Sequence, residues 1–117
     1  MTLADLLARL RRAEADFEDV LAFVNTRYDY TPTRFSNGLG TEPVVNEAGK
    51  NEGSCRLFAL ARLNRLSEDD TVLLFGRFYR DDVLKNPAGS DHANIRRFMQ
   101  DGWAGIRFEG DALAPRA

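Results

Sequence analysis

Helical periodicity runs through most of this chain but stops between Tyr28 and Glu52, and that interruption limits what the chain can fold into. Thr31-Pro32-Thr33 opposes helix, because proline lacks a backbone donor and restricts the residue before it. Asn37-Gly38 and Ala48-Gly49 supply turn chemistry, and short strands are expected around residues 34–36 and 44–46. Long irregular stretches inside compact domains are often functional. The expected fold is therefore mainly α, with about five helices and a small antiparallel β element, a compact single-domain α+β protein spanning residues 1–117.

The flanking helices are readable from their caps and apolar stripes. Thr2 caps a first helix with Asp5 in the reciprocal position, and Leu3, Leu6, Leu7 and Leu10 share one face. A second helix runs from about Asp16 to Arg27, with Phe17, Val20, Leu21 and Val24 inward. Helical pattern resumes at Ser54, with Leu57, Phe58, Ala61 and Leu63 as core positions. Ser67-Glu68-Asp69-Asp70 starts another helix, which carries Val72, Leu73, Phe75, Phe78 and Tyr79 and stops before Asn86-Pro87. Gly89-Ser90-Asp91 leads into a last helix, with Ile95, Phe98 and Met99 inward and Gly102 ending it. Ile106-Arg107-Phe108 alternates like an edge strand, and Ala114-Pro115-Arg116-Ala117 reads as a frayed tail.

Composition narrows the function classes. A hydrophobic share of 44% suffices for a core. The net charge of −2 and pI near 5.4 weigh against a nucleic-acid or anionic-membrane partner, which would favour a basic face. One cysteine makes no internal disulfide, so nothing requires an oxidising compartment. The amphipathic start lacks the apolar run of a signal peptide, and no membrane span is readable. A bacterial cytoplasmic protein, monomeric or weakly dimeric, is the simplest expectation.

The unusual residues cluster in Asn51-Glu52-Gly53-Ser54-Cys55, Phe75-Gly76, Tyr79-Arg80, Asp82-Val83-Leu84, Asn86-Pro87, Asp91-His92, Asn94-Ile95-Arg96, Phe98-Met99 and Gly102-Trp103. With Tyr28, Tyr30-Thr31-Pro32-Thr33, Phe35, Asn37-Gly38, Asn46 and Ala48-Gly49, these make residues 17–113 resemble the HopJ type III effector family, small domains named after a plant-pathogen effector. The resemblance implies delivery by a type III system and a host or bacterial protein partner. It brings no enzymatic reaction and no cofactor. Type III substrates usually begin with a flexible, serine-rich leader, whereas a helix pattern starts here at Thr2, so a resident bacterial role stays open.

Three constellations bear on chemistry. Cys55 sits in the first turn of a helix, where free amides and the dipole favour a thiolate. Paired with His92, and with Asn94 or Asn51 to orient it, the thiol has the logic of a nucleophile; otherwise it is a small core residue. Asp82, Asp91 and His92, with Asp81 and Glu52 nearby, are ligand types for a divalent cation. They lack a recognised metal spacing, and Arg80, Arg96 and Arg97 are equally good partners for those acids. Finally, Asn37, Asn46, Asn51, Glu52 and Ser54 are suited to cradling an anion or a peptide backbone, with Tyr30 and Arg80 counted in the same ligand-binding set. The alternative is that these amides satisfy their own loop.

The leading expectation is an effector-type, cofactor-free module that binds a partner protein, which requires an exposed aromatic patch at Tyr28, Tyr30 and Phe35. Its rivals are a small thiol hydrolase or transferase, requiring Cys55 beside His92, and a resident metal- or small-ligand-binding protein. The last requires Asp82, Asp91 and His92 to converge.

Overall fold

The computed structural model describes residues 1–116. Helices α1 (Leu3–Arg11) and α2 (Phe17–Arg27) lead into strands β1 (Tyr28–Tyr30), β2 (Phe35–Asn37) and β3 (Val44–Asn46). Helices α3 (Glu52–Leu63) and α4 (Glu68–Leu73), a π-helical segment (Phe78–Val83) and α5 (Ala93–Asp101) follow. A 3-10 turn (Gly102–Gly105) then leads to β4 (Ile106–Phe108) and β5 (Leu113–Pro115). The result is an α+β fold with small antiparallel sheets, as the interrupted periodicity predicts.

Local chemistry accounts for the first two helix starts. The Thr2 hydroxyl accepts the Asp5 N–H at 3.1 Å while the Thr2 N–H donates to the Asp5 carboxylate at 3.0 Å. Asp16 and Asp19 repeat this reciprocal box at α2, and the Asp16 carboxylate also accepts from Phe17 N–H at 2.8 Å. Ser67 caps α4 through Asp70 N–H at 3.1 Å, but the Asp70 carboxylate turns to Arg11 at 2.6 Å instead of reaching back. A tertiary partner has displaced the expected reciprocal bond.

The core is built around α3, which is buried over much of its circumference: Cys55, Leu57, Phe58, Leu60 and Ala61 are all inaccessible. Such a helix belongs in the centre of a fold. Phe58 contacts Phe35, Phe75 and Phe98, with ring centroids 5.8, 5.3 and 5.1 Å apart, so α3, the sheet, the turn after α4 and α5 meet at one aromatic node. Trp103 meets Phe98 edge-on at 5.1 Å. The antiparallel sheet has order β3-β2-β4, with Phe35 opposite both Asn46 and Phe108.

Several expectations are corrected. The helix begun at Ser67 does not run through Tyr79. Gly76 adopts φ +58°, α4 ends at Leu73, and the chain resumes as the π-helical segment. The tail is not frayed up to Arg116: Leu113–Pro115 pairs with Tyr28–Tyr30, and Arg116 N–H donates to the Arg27 carbonyl. Ala117 lies outside the described residues. Leu63, the last residue of α3, and Met99 are half exposed. Leu63 lines a shallow cleft with Ala59 and Leu113, and Met99 a groove with Leu84 and Pro87. Phe35 is fully buried, because β2 is the central strand, so the proposed aromatic recognition patch is absent as drawn.

Candidate functional site

The site is organised by asparagines from four separate segments. Asn94, in the first turn of α5, donates to the Asn46 side-chain oxygen at 2.8 Å and accepts from Asn46 and Asn37 side-chain amides at 3.1 and 3.2 Å. Asn37 also donates to the Asn94 carbonyl at 2.8 Å, and Asn51 donates to the Asn46 side-chain oxygen at 2.7 Å. Asn37, Asn46 and Asn94 are buried. Paired amides in a dry setting are costly to separate, since each group left alone keeps its desolvation penalty. The network therefore fixes β2 and β3 against the starts of α3 and α5.

Those two starts share an unusual geometry. Asn51 and His92, the cap positions of α3 and α5, are both left-handed, at φ +49° and +51°, and neither side chain caps its helix. Both first turns line one cleft of about 410 Å³, through Asn51, Gly53 and Ser54 on one side and His92, Ala93, Asn94 and Ile95 on the other. Phe17, Phe75, Phe78 and Val44 supply apolar walls. Gly53 allows the Phe17 ring to lie against α3, where a Cβ would meet the ring at 2.7 Å. Uncapped first-turn amides carry the positive end of the helix dipole, so both helices present a field that favours an anion.

His92 forms the cleft rim. Its Nε2 lies 2.9 Å from Asp82 and its ring rests on Phe78 with centroids 5.1 Å apart. Asp82 comes from the π-helical segment, and Asp91 precedes His92; one ligand atom from each of these three residues lies within 4.8 Å of the others. Arg96 donates to Asp91 at 2.6 Å and holds its carboxyl below the usual carboxylate range. Asp82, Asp91 and His92 thus come together as the metal reading requires.

Cys55 is elsewhere. Although it follows Ser54 directly, its side chain turns away from the cleft, and the thiol donates to the Thr33 carbonyl at 3.5 Å. Its hydrogen-bond partner is Thr33, while that of His92 is Asp82, so no hydrogen bond joins the expected pair. Burial pushes the Cys55 thiol up, outweighing Tyr30, the Thr33 backbone and Arg56, which act the other way. Of the two readings of Cys55, its burial and raised thiol favour the small core residue over the activated thiolate. Tyr30 and Glu52 belong to this second neighbourhood. The Tyr30 hydroxyl is buried beside Cys55 without a hydrogen bond of ordinary geometry, and Arg56 stacks on its ring at 3.9 Å. Burial, then Cys55 and Glu52, push the Tyr30 phenol up.

Of the ligand-binding set, Asn51 and Ser54 line the cleft, Asn37 and Asn46 stand behind its wall, and Arg80 lies on the π-helical segment 3.8 Å from Asp81. Asn94 is the hub of the amide network rather than an orienting group for a Cys–His pair. Sequence reasoning assigned Phe17, Phe75 and Phe78 only to the core and missed them as cleft walls. The glycine at position 53, opposite one of these rings, is the local signal of a close approach.

No helix among the described residues is long and apolar enough to cross a membrane. No curated protein matches the chain. The crystal structure of the unknown-function protein VPA0580 is similar, with a TM-score of 0.87 and 43% identity over 99% of this chain and 95% of that one. The model of the HopJ type III effector proteins matches residues 3–113, nearly the whole length that carries the amide network, the paired helix starts and the cleft, and the chain belongs to that family.

Proposed function

We propose that this HopJ protein acts as an effector-type binding module that grips an acidic group of a partner protein in the cleft between α3 and α5, without chemistry at Cys55. The observation that carries this reading is the convergence of two uncapped helix starts on one aromatic-walled cleft. A volume of about 410 Å³ is in the range of small-ligand sites. It suits a carboxylate-bearing chain end with one apolar side chain: amides take the charge, while Phe17, Phe75 and Phe78 take the apolar part. The family description supports passage through a type III system, with the bacterial cytoplasm as the place of synthesis.

The test uses N-acetylphenylalanine and its carboxamide as matched probes of the metal-free protein. Saturable movement of the Gly53, Ser54, Ala93 and Asn94 amide signals is expected with the carboxylate. The carboxamide should bind about 10-fold more weakly, roughly the value of one charge-assisted hydrogen bond. Equal binding of both probes, or shifts centred away from the cleft, sinks the reading.

A further inference from the structure

We propose that Asp82, Asp91 and His92 form a divalent-cation site on the rim of the cleft. Two carboxylates and an imidazole, drawn from the π-helical segment and the start of α5, converge so that one ligand atom of each lies within 4.8 Å of the others. His92 Nε2 stands 2.9 Å from Asp82 Oδ2 and 3.9 Å from Asp91 Oδ2. Neighbouring ligands of a first-row ion with bonds of about 2.1 Å lie roughly 3.0–3.4 Å apart. The two His92 separations bracket that range and all three ligand atoms fall within 4.8 Å, so side-chain movements would close the set around one ion.

The surroundings hold these groups in a ligating arrangement. Arg96 takes Asp91 Oδ1 at 2.6 Å, leaving Oδ2 as the atom that faces His92. The same guanidinium donates to the Asn86 carbonyl at 2.9 Å and the Asp82 carbonyl at 3.4 Å, tying together the two segments that supply the ligands. Phe78 supports the imidazole face. Hydrogen bonds and packing that orient ligands from behind are what metal sites use to fix their geometry.

Ion pairs hold the three side chains two by two, Asp82 with His92 and Asp91 with Arg96, and leave Asp91 Oδ2 3.9 Å from His92 Nε2, beyond hydrogen-bond reach. A single cation between them would draw on all three atoms. Mixed carboxylate–imidazole ligation favours Mn²⁺, Fe²⁺ or Zn²⁺ over Ca²⁺, which takes more oxygen ligands. His92 also lines the cleft, so an ion held by it would sit at the cleft's edge.

The experiment is Mn²⁺ titration of the chelator-stripped full chain, read by electron paramagnetic resonance and by paramagnetic broadening of amide signals. One ion per chain is expected, with broadening centred on residues 82 and 91–93. Asp82→Asn and His92→Asn should each weaken binding at least about 10-fold, while Asp111→Asn, which lines a different cleft, leaves it unchanged. Asparagine at position 92 tolerates the left-handed backbone, and circular dichroism matching the parent confirms that each variant folds. Absence of saturable binding at millimolar Mn²⁺, or equal affinity in parent and both site variants, overturns the proposal. Neither result bears on the carboxylate probe, which is measured without metal.

Discussion

At Cys55, position in the helix and burial pull the thiol in opposite directions. The first turn of α3 favours a thiolate, but the side chain is 1% exposed and its ionisation is pushed up by burial. Burial wins because a charge taken out of water costs more than a partial helix charge returns. Iodoacetamide labelling at pH 7 should therefore be at least about 10-fold slower in the native protein than in urea. The native rate should rise only above the ordinary thiol range, and His92→Ala should leave the profile unchanged. Fast labelling at neutral pH that His92→Ala abolishes would restore the thiol-enzyme reading. The asparagines teach a related lesson. Asn37, Asn46 and Asn51 are legible as a polar set, yet nothing in their spacing shows that Asn94 joins them.

Among the elements, the break at Gly76 is the one that local pattern conceals. Val72, Phe75 and Tyr79 keep helical spacing across it, but Gly76 is left-handed and packs against the start of α2. A Cβ there would collide with the Asp16 carboxylate and approach Phe17 N at 2.7 Å. Asp16 also accepts from Arg77 N–H at 2.9 Å, so one carboxylate caps α2 and anchors the following turn. Gly76→Ala should lower stability by about 1–3 kcal/mol from backbone strain alone, and by more if the Asp16 contact opens. Urea unfolding measures this; an unchanged midpoint would show that the turn is not tied to α2.

For the whole molecule, acid is the informative stress. Asp91 and Asp101 are held below the usual carboxylate value of 3.8 by Arg96 and Arg97 respectively. Burial pushes Asp16 up, but the backbone amides of Arg77 and Phe17 and the Arg77 side chain outweigh it and leave its carboxyl lowered. A carboxylate with a depressed folded value contributes stability above the unfolded value and loses it as pH falls through the folded one. The urea midpoint, followed by Trp103 fluorescence, should stay nearly flat from about pH 7 to 5 and fall below about pH 4. Asp16→Asn should lower the neutral midpoint and make the acid fall shallower. An equally steep fall in that variant would remove Asp16 from the account.

Taken by itself, the sequence determined the helix starts at Thr2, Asp16 and Ser67, the helix stop at Gly102, the strand at residues 44–46 and the family. Caps and periodicity act between residues three or four apart, so a linear reading detects them. Tertiary structure alone decided the Tyr28–Pro115 pairing, the separation of Cys55 from the cleft, the amide network and the meeting of Asp82 with His92. Each of these depends on which distant group arrives to accept a hydrogen bond or exclude water, and that is settled only when the aromatic core around Phe58 brings the segments together.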